Sequence, residues 1–256
     1  MPAAITMPDE ELGRLMDLIK DADSVELKLT IPLEHQRATV DALGMDPLEA
    51  QIRQVFFFDT PDLALDKAGV VVRARRIQGK GDDSVVKLRP VVPAEMPAEL
   101  RQSENFKVEV DAMPGGFVCS GSLKYAFGPK EVKRAVAGKQ PIRKLFSKEQ
   151  RRFFEEHAPE GVTLDDLSIL GPLFVLKARV TPPELDRRIV GELWLFPDGS
   201  RVAELSTRAA PGEAFQVAGE ARAHLAKAGI DLTGEQQTKT RKALKFFAKA
   251  LDGEAE

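Results

Sequence analysis

The chain has 256 residues, and its 37 Lys and Arg against 40 Asp and Glu give a formal net charge of −3, which argues against a general nucleic-acid binder, since such proteins carry a basic excess. With 43% hydrophobic and 30% charged residues, the composition is that of a globular protein with material for a core. The lone cysteine, Cys119, excludes an internal disulfide and a cysteine-based zinc site, and the absence of a signal-like or membrane-spanning apolar run makes the cytoplasm the expected compartment.

In chain order, residues 8–20 carry the helical stripe Leu12, Leu15, Met16 and Ile19, which predicts a packing helix. Residues 24–31 alternate as a strand, with Val25, Leu27, Leu29 and Ile31 on one face and Glu26, Lys28 and Thr30 on the other. A short helix over 35–43 closes at Gly44.

Residues 55–90 are the most informative stretch. The run Phe56-Phe57-Phe58 predicts a strand, broken at Asp59-Thr60-Pro61-Asp62, where Pro61 fixes its own φ and pushes Thr60 out of the α region. A helical turn through Leu63 and Leu65 ends at Gly69. The next strand puts Arg73 and Arg75 on one face, with Val72, Ala74 and Arg76 on the other. After a loop over 79–83, a further strand puts Lys87 and Arg89 opposite Val86 and Leu88. Two neighbouring strands would thus present four cations at a spacing of two residues, a row that repels itself unless water or an anion neutralises it. For one hairpin, a solvated sheet face is the simpler explanation.

Residues 106–111 alternate again, with Lys107, Glu109 and Asp111 on the polar face, and Pro114-Gly115-Gly116 ends that strand. The pattern over 117–171 reads as helical pieces, including a capping box at Ser147 and Gln150 ahead of Phe153 and Phe154. We expect a helical insertion over about 114–171 within a single domain spanning 1–256. Arg143, Lys144, Lys148, Arg151 and Arg152 read as its solvated face. Strands resume over 174–180, with Lys177 and Arg179 on the polar side, and over 187–196, with Glu192 and Trp194 on one face. A hairpin turn at Pro197-Asp198-Gly199 leads to residues 201–208, where Val202, Glu204, Ser206 and Arg208 share a face. Helices over 211–228 and 233–251 close the chain, the second striped by Leu244, Phe247 and Leu251, and residues 252–256 are expected to fray.

The same habit recurs in seven strands: one face aliphatic, the other charged. A sandwich leaves such charge in water. A closed barrel can instead line its interior with the charges and lay its aliphatic face under helices. The expected fold is therefore α+β: a closed antiparallel β-barrel with a polar interior, clad by helices. Excess cations with a few carboxylates suit a polyanion held with a hard divalent metal, which takes carboxylate and phosphate oxygens.

In its order of motifs the chain resembles the CYTH superfamily, the triphosphate tunnel metalloenzymes. That family opens on an E-x-E-x-K strand and continues with a Y-F-D-T-P-like strand and turn, a glycine and R-x-R. FFFDTPDLALDKAGVVVRAR over 56–75 matches the middle signature. Lys87 sits where the next basic strand belongs, Glu109 on the following acidic strand, and Lys177 or Arg179 on the later basic one. Glu192 and Glu204 fit the final acidic hairpin, and Lys239, Arg241 and Lys242 lie on the closing helix. The resemblance covers the strands from 24 to 208, and the insertion lies outside it. Ser24 and Ser206 stand where the family has the remaining glutamate of each E-x-E pair, which removes or weakens metal ligands.

The resemblance implies a triphosphate-containing small molecule as partner, with no nucleic acid or membrane, and Mg²⁺ or Mn²⁺ as cofactor. It implies substrate binding by Arg73, Arg75, Lys87, Arg89, Lys177, Arg179 and Lys239. Metal binding falls to Glu26, Glu192 and Glu204, and catalysis to Glu26, Lys28 and Glu109. The leading expectation is a metal-dependent triphosphate hydrolase. A polyphosphate-binding protein without turnover comes second, and an adenylyl cyclase making cyclic AMP third. His35, His157 and His224 fall on expected helices or loops and are not assigned to the chemistry.

Overall fold

A computed structural model describes residues 8–230, 232, 236, 238–251 and 253. Among them, nine strands close into a barrel: β1 (Ser24–Ile31), β2 (Gln51–Asp59), β3 (Val70–Ile77), β4 (Asp82–Leu88), β5 (Phe106–Met113), β6 (Gly116–Phe127), β7 (Ser168–Val180), β8 (Ile189–Leu195) and β9 (Arg201–Ala209). Their order around the barrel is β1-β5-β6-β4-β3-β2-β7-β8-β9, closing back onto β1. The helices are α1 (Asp9–Lys20), α2 (Gln36–Ala42), α3 (Ala64–Lys67), α4 (Ala98–Gln102), α5 (Glu131–Val136), α6 (Lys148–Glu155), α7 (Ala214–Lys227) and α8 (Lys239–Leu251).

The closed barrel clad by helices is as expected, but it is mixed rather than antiparallel. β1 and β5 run parallel, with Ser24 opposite Glu109 and Glu26 opposite Asp111. Alternation tells which residues share a face, and it is the same for either strand direction. The helical reading of residues 117–127 is also corrected: they form β6, between β5 and β4. Helices are confined to 131–155, and β7 already begins at Ser168. β6 was illegible because its outward positions include a glycine. A Cβ on Gly121 would lie 2.7 Å from the ring of Phe106, so this position stays small to seat that ring. Asp82 and Asp83, read as loop, open β4 and are buried. The expected start of the last helix at Thr233 and the fraying of 252 and 254–256 lie outside the described residues.

Most outward faces of the wall are buried under helices. Phe56, Phe58, Val72, Val86, Val108 and Val110 pack with Leu15 and Ile19 of α1, Val132 of α5 and Phe153 and Phe154 of α6. Leu29, Ile189 and Leu205 pack with Leu225 of α7. Each large side chain so buried contributes about 1.5–3 kcal/mol. The expected capping box forms at Ser147 and Gln150. Fully buried Gln150 also bolts α6 to the wall: it accepts from Ser84 Oγ at 2.9 Å and donates to the Leu123 carbonyl at 2.9 Å.

One end of the barrel is plugged. Ala243, Leu244 and Phe247 of α8 pack on Val55, Phe57, Leu173, Val175, Trp194 and Val202, residues of the inward-facing parity. This explains why β2 does not alternate at its aromatic run. Phe56 and Phe58 lie under the outer helices and Phe57 under α8, so all three are buried.

Candidate functional site

Inside the barrel lies a cavity of about 700 Å³, lined by residues from all nine strands and from the head of α8. Among the described residues the lining carries twelve Lys and Arg against six Asp and Glu. A chain of net charge −3 has thus gathered a cationic excess on one enclosed surface.

The turn after β2 sets up the arginine strand. The buried carboxylate of Asp59 accepts from the backbone N–H of Thr60 at 2.8 Å, Leu65 at 2.9 Å and Asp66 at 3.0 Å. It ties the turn to α3, although burial pushes its carboxyl up against those three donors. Gly69 follows with φ of +75°, and a Cβ there would lie 2.5 Å from the Arg89 carbonyl oxygen. Arg89 N in turn donates to Gly69 O at 2.8 Å. This close crossing starts β3 and fixes where Arg89 enters the cavity.

The charges fall into groups. Fully buried Asp111 of β5 lies 2.8 Å from Lys28 Nζ and 3.8 Å from Lys87 Nζ, and pairs with the Arg89 guanidinium. Neither of its oxygens accepts an aligned hydrogen bond, so the attraction is Coulombic. Glu26 pairs with Lys28 at 3.1 Å. Burial works to raise the Glu26 carboxyl, and Lys28 outweighs it, so the net direction is down. Arg75 is engaged by Asp83 through two bonds, Nε to Oδ1 at 2.7 Å and Nη2 to Oδ2 at 2.6 Å, and Lys124 adds a contact to Asp83 at 3.2 Å. Glu109 accepts from Ser24 Oγ at 3.3 Å and from Arg208.

The fourth group sits beside the plug. Glu192 and Glu204 are direct partners across β8 and β9. Lys177 Nζ donates to Glu192 Oε1 at 2.8 Å. Lys239 Nζ reaches Glu192 Oε2 and lies 2.7 Å from Glu204 Oε1. Burial works to raise the Glu192 carboxyl, but Lys239 and then Lys177 hold it well below the usual carboxylate range.

Three cavity cations lack a carboxylate partner among the described residues: Arg53, Arg73 and Lys107, the last of them exposed. Arg53 hydrogen-bonds only the Gln51 side chain, at 2.9 and 3.1 Å. Arg73 has none, and its Nε is buried without a hydrogen-bond partner. Burial, followed by the charge of Arg75, brings the Arg73 guanidinium down to about 10. Lys87 is likewise held well below the usual lysine value by burial, then by Arg89 and Lys28.

Of the residues singled out from the sequence, Glu26, Lys28, Arg73, Arg75, Lys87, Arg89, Glu109, Lys177, Glu192, Glu204 and Lys239 all line this one cavity. Arg179 does not. It shares the face of Lys177 but lies near the exposed end of β7. Asp111, Lys107 and Arg208 were recognised as polar-face residues without being assigned to the site, and they also line it. Arg53 and Lys124 were missed. The alternation Arg53-Val55-Phe57 could have extended β2 backwards, whereas Lys124 lies on unrecognised β6.

The expected metal ligands Glu26, Glu192 and Glu204 do not converge. Among the described residues no three acidic, His or Cys side chains form a group able to hold a metal. Glu26 is tied to Lys28, and the space shared by Glu192 and Glu204 holds an ammonium. As arranged, these residues do not fit a divalent-metal site.

Fold and cavity together define a class: a closed barrel, helix-clad and plugged at one end, with a cation-rich interior. Solved structures share this fold. A candidate adenylate cyclase from Bacillus halodurans matches with a TM-score of 0.59 at 14% identity, over 86% of this chain and 97% of that one. A candidate adenylyl cyclase from Hippeastrum, described as having a dominant triphosphatase activity, matches with a TM-score of 0.60 at 19% identity, over 90% and 96%. No protein-family model and no curated protein sequence matches the chain. The fold that the resemblance implied is thus matched by these structures. Among the described residues no helix is long and apolar enough to cross a membrane.

Proposed function

We propose that the barrel encloses the triphosphate group of a small molecule and that the chain acts on it as a phosphohydrolase. The observation that carries this reading is Arg73, a half-buried guanidinium whose enclosed Nε has no hydrogen-bond partner and which has no ion-pair partner among the described residues, in a cavity of excess cations. Burying an unpaired charge is costly, and a polyphosphate supplies the missing anion. Arg73 offers forked donors to phosphate oxygens, which a lysine cannot. Lys28, Lys87 and Arg89 add charge around Asp111. Arg75 is already committed to Asp83, so its part is to hold β3 and β4 in register and lend charge at one remove.

Hydrolysis of a terminal phosphoryl group asks little covalent chemistry of a protein, only placement and charge stabilisation in line with an attacking water. Glu109, oriented by Ser24 and Arg208, is the carboxylate we assign to that water. Glu26 and Lys28 position the group beside it. Mg²⁺ or Mn²⁺, expected from the family resemblance, would add Lewis-acid chemistry when bound. The present carboxylates do not form its site, so the roles above rest on the chain's own groups.

The second reading is a polyphosphate-binding barrel without turnover. It is favoured by Lys239 seated between Glu192 and Glu204 and by serine at 24 and 206. One assay separates the readings: protein with tripolyphosphate, ATP or thiamine triphosphate, in Mg²⁺, Mn²⁺ or EDTA, with orthophosphate, pyrophosphate and cyclic AMP all measured. Orthophosphate release that is lost in Arg73→Ala and Glu109→Gln supports the hydrolase. Binding without turnover in every medium assigns the binder. Cyclic AMP with pyrophosphate overturns both in favour of a cyclase.

A further inference from the structure

Glu192 and Glu204 stand directly opposite each other on β8 and β9, facing the cavity. Two carboxylates so placed repel unless a cation lies between them. That cation is the Lys239 ammonium, which contacts Glu192 Oε2 and lies 2.7 Å from Glu204 Oε1. Trp194 completes the seat. Its ring centroid lies 5.1 Å from Nζ, and its Nε1 donates to Glu192 Oε2 at 3.3 Å. The lysine stem is held in place because Ala243, one turn further along α8, is fully buried in the barrel plug with Leu244. Lys239, Glu192 and Glu204 are therefore a preassembled and nearly dry unit, with side chains 14%, 16% and 7% exposed.

We propose that the Lys239 ammonium is a built-in replacement for a divalent ion between Glu192 and Glu204, so that the barrel takes up a polyphosphate without a metal. This rests on the polyphosphate-binding part of the functional reading. An ammonium has three donors and no acceptor. Two are directed to Glu192 and Glu204, which leaves one for a phosphate oxygen. A hard divalent cation needs several oxygen ligands and its own room. It would meet two carboxylates already neutralised, with Ser206 in place of a further acid on the same face of β9. To enter, it must first expel an ammonium from a desolvated pair of ion contacts, and breaking such a pair is costly.

Calorimetry on the full chain tests this. The parent should bind tripolyphosphate in EDTA, and should show no Mn²⁺ binding up to about 1 mM in the absence of phosphate. Lys239→Met should lose tripolyphosphate affinity in EDTA by about tenfold or more, one charge-assisted hydrogen bond. It should also gain Mn²⁺ binding, which Glu192→Gln in the same chain removes. Lys239→Arg, which keeps both the charge and the helix, should gain none and controls for folding. Sub-millimolar Mn²⁺ binding by the parent that Glu204→Gln abolishes overturns the inference. So does Lys239→Met with unchanged tripolyphosphate affinity and no Mn²⁺ gain. A parent that binds no tripolyphosphate in any medium overturns the functional reading as well, and is thereby distinguished from the other two failures.

Discussion

Asp111 of β5 and Lys28 of β1 meet at 2.8 Å across the parallel strand pair of the barrel. Asp111 is fully buried and also holds Arg89 and, at 3.8 Å, Lys87. One carboxylate thus neutralises part of a three-cation cluster. Removing it leaves Lys87 and Arg89 enclosed and uncompensated and Lys28 with Glu26 alone. Asp111→Ala should destabilise the chain by about 3–5 kcal/mol, measured as a lower urea midpoint with unchanged slope. Millimolar tripolyphosphate should recover part of the loss, because a ligand that binds only the folded state stabilises it by mass action. No recovery with the anion present would count against the cluster as part of its site.

Arg73 should behave in the opposite sense. Its half-buried guanidinium has an enclosed Nε without a partner and no ion pair among the described residues, so Arg73→Met should stabilise the free chain by roughly 1 kcal/mol, a rise of about 2–4 °C in Tm for a chain of this size. The same change should weaken tripolyphosphate binding by about 10–100-fold. Differential scanning calorimetry and titration calorimetry read the two effects. A substitution that lowers both stability and affinity would mean Arg73 has a structural partner in solution.

Binding should take up protons in alkaline buffer. Burial, then Arg89 and Lys28, hold Lys87 well below the lysine value of 10.5. Burial and then Arg75 bring Arg73 down to about 10 from 12.5. In both, the folded value lies below the unfolded one. The folded chain therefore binds fewer protons, and its stability rises with pH from the depressed folded values towards the unfolded ones. An anion among these groups favours their charged forms and raises both values again. Tripolyphosphate affinity should therefore fall as pH rises through the depressed Lys87 value. Binding heats should depend on the buffer's ionisation enthalpy with the sign of proton uptake. Lys87→Met should remove most of that dependence, and an equal dependence in the variant would assign the proton to another group.

Gly69 and Gly79 offer a matched pair of backbone tests. Both have positive φ, +75° and +70°, so alanine is strained at either. Gly79 has nothing within 4 Å of an added Cβ, whereas Gly69 would place one 2.5 Å from the Arg89 carbonyl oxygen. Gly79→Ala should cost about 1 kcal/mol and leave binding intact. Gly69→Ala should cost about 2–4 kcal/mol and weaken polyphosphate binding, because Arg89 must shift. Equal costs in urea unfolding would show that the close crossing relaxes freely.

Strand faces were legible because a strand's alternation is local. Glu26 and Lys28, Arg73 and Arg75, Glu109 and Asp111, and Glu192 with Trp194 could each be put on one face from neighbours two residues away. The aliphatic opposite faces then called for helices to cover them, which α1, α5, α6 and α7 do. Where alternation was blurred, the sequence was silent. Gly121 yields its place to the Phe106 ring and hides β6, and the buried run at Phe57 hides the inward turn of β2.

Partners across the barrel were decided only by closure. Nothing within β1 or β5 states that they run parallel, or that Asp111 will meet Lys28, Lys87 and Arg89 at the centre. Position along the barrel axis is equally non-local. Lys177 and Arg179 share a face, but a step of two residues, about 6.6 Å along a strand, puts one on Glu192 and the other near the exposed strand end. Lys239 could be placed on a closing helix from the sequence. Its seat between Glu192 and Glu204 required α8 to enter the barrel end and bury Ala243, Leu244 and Phe247 there. Which charges share a face follows from bond geometry over two residues. Which charges meet follows from long-range pairing and packing, and that decides whether a carboxylate finds a metal, an ammonium or nothing.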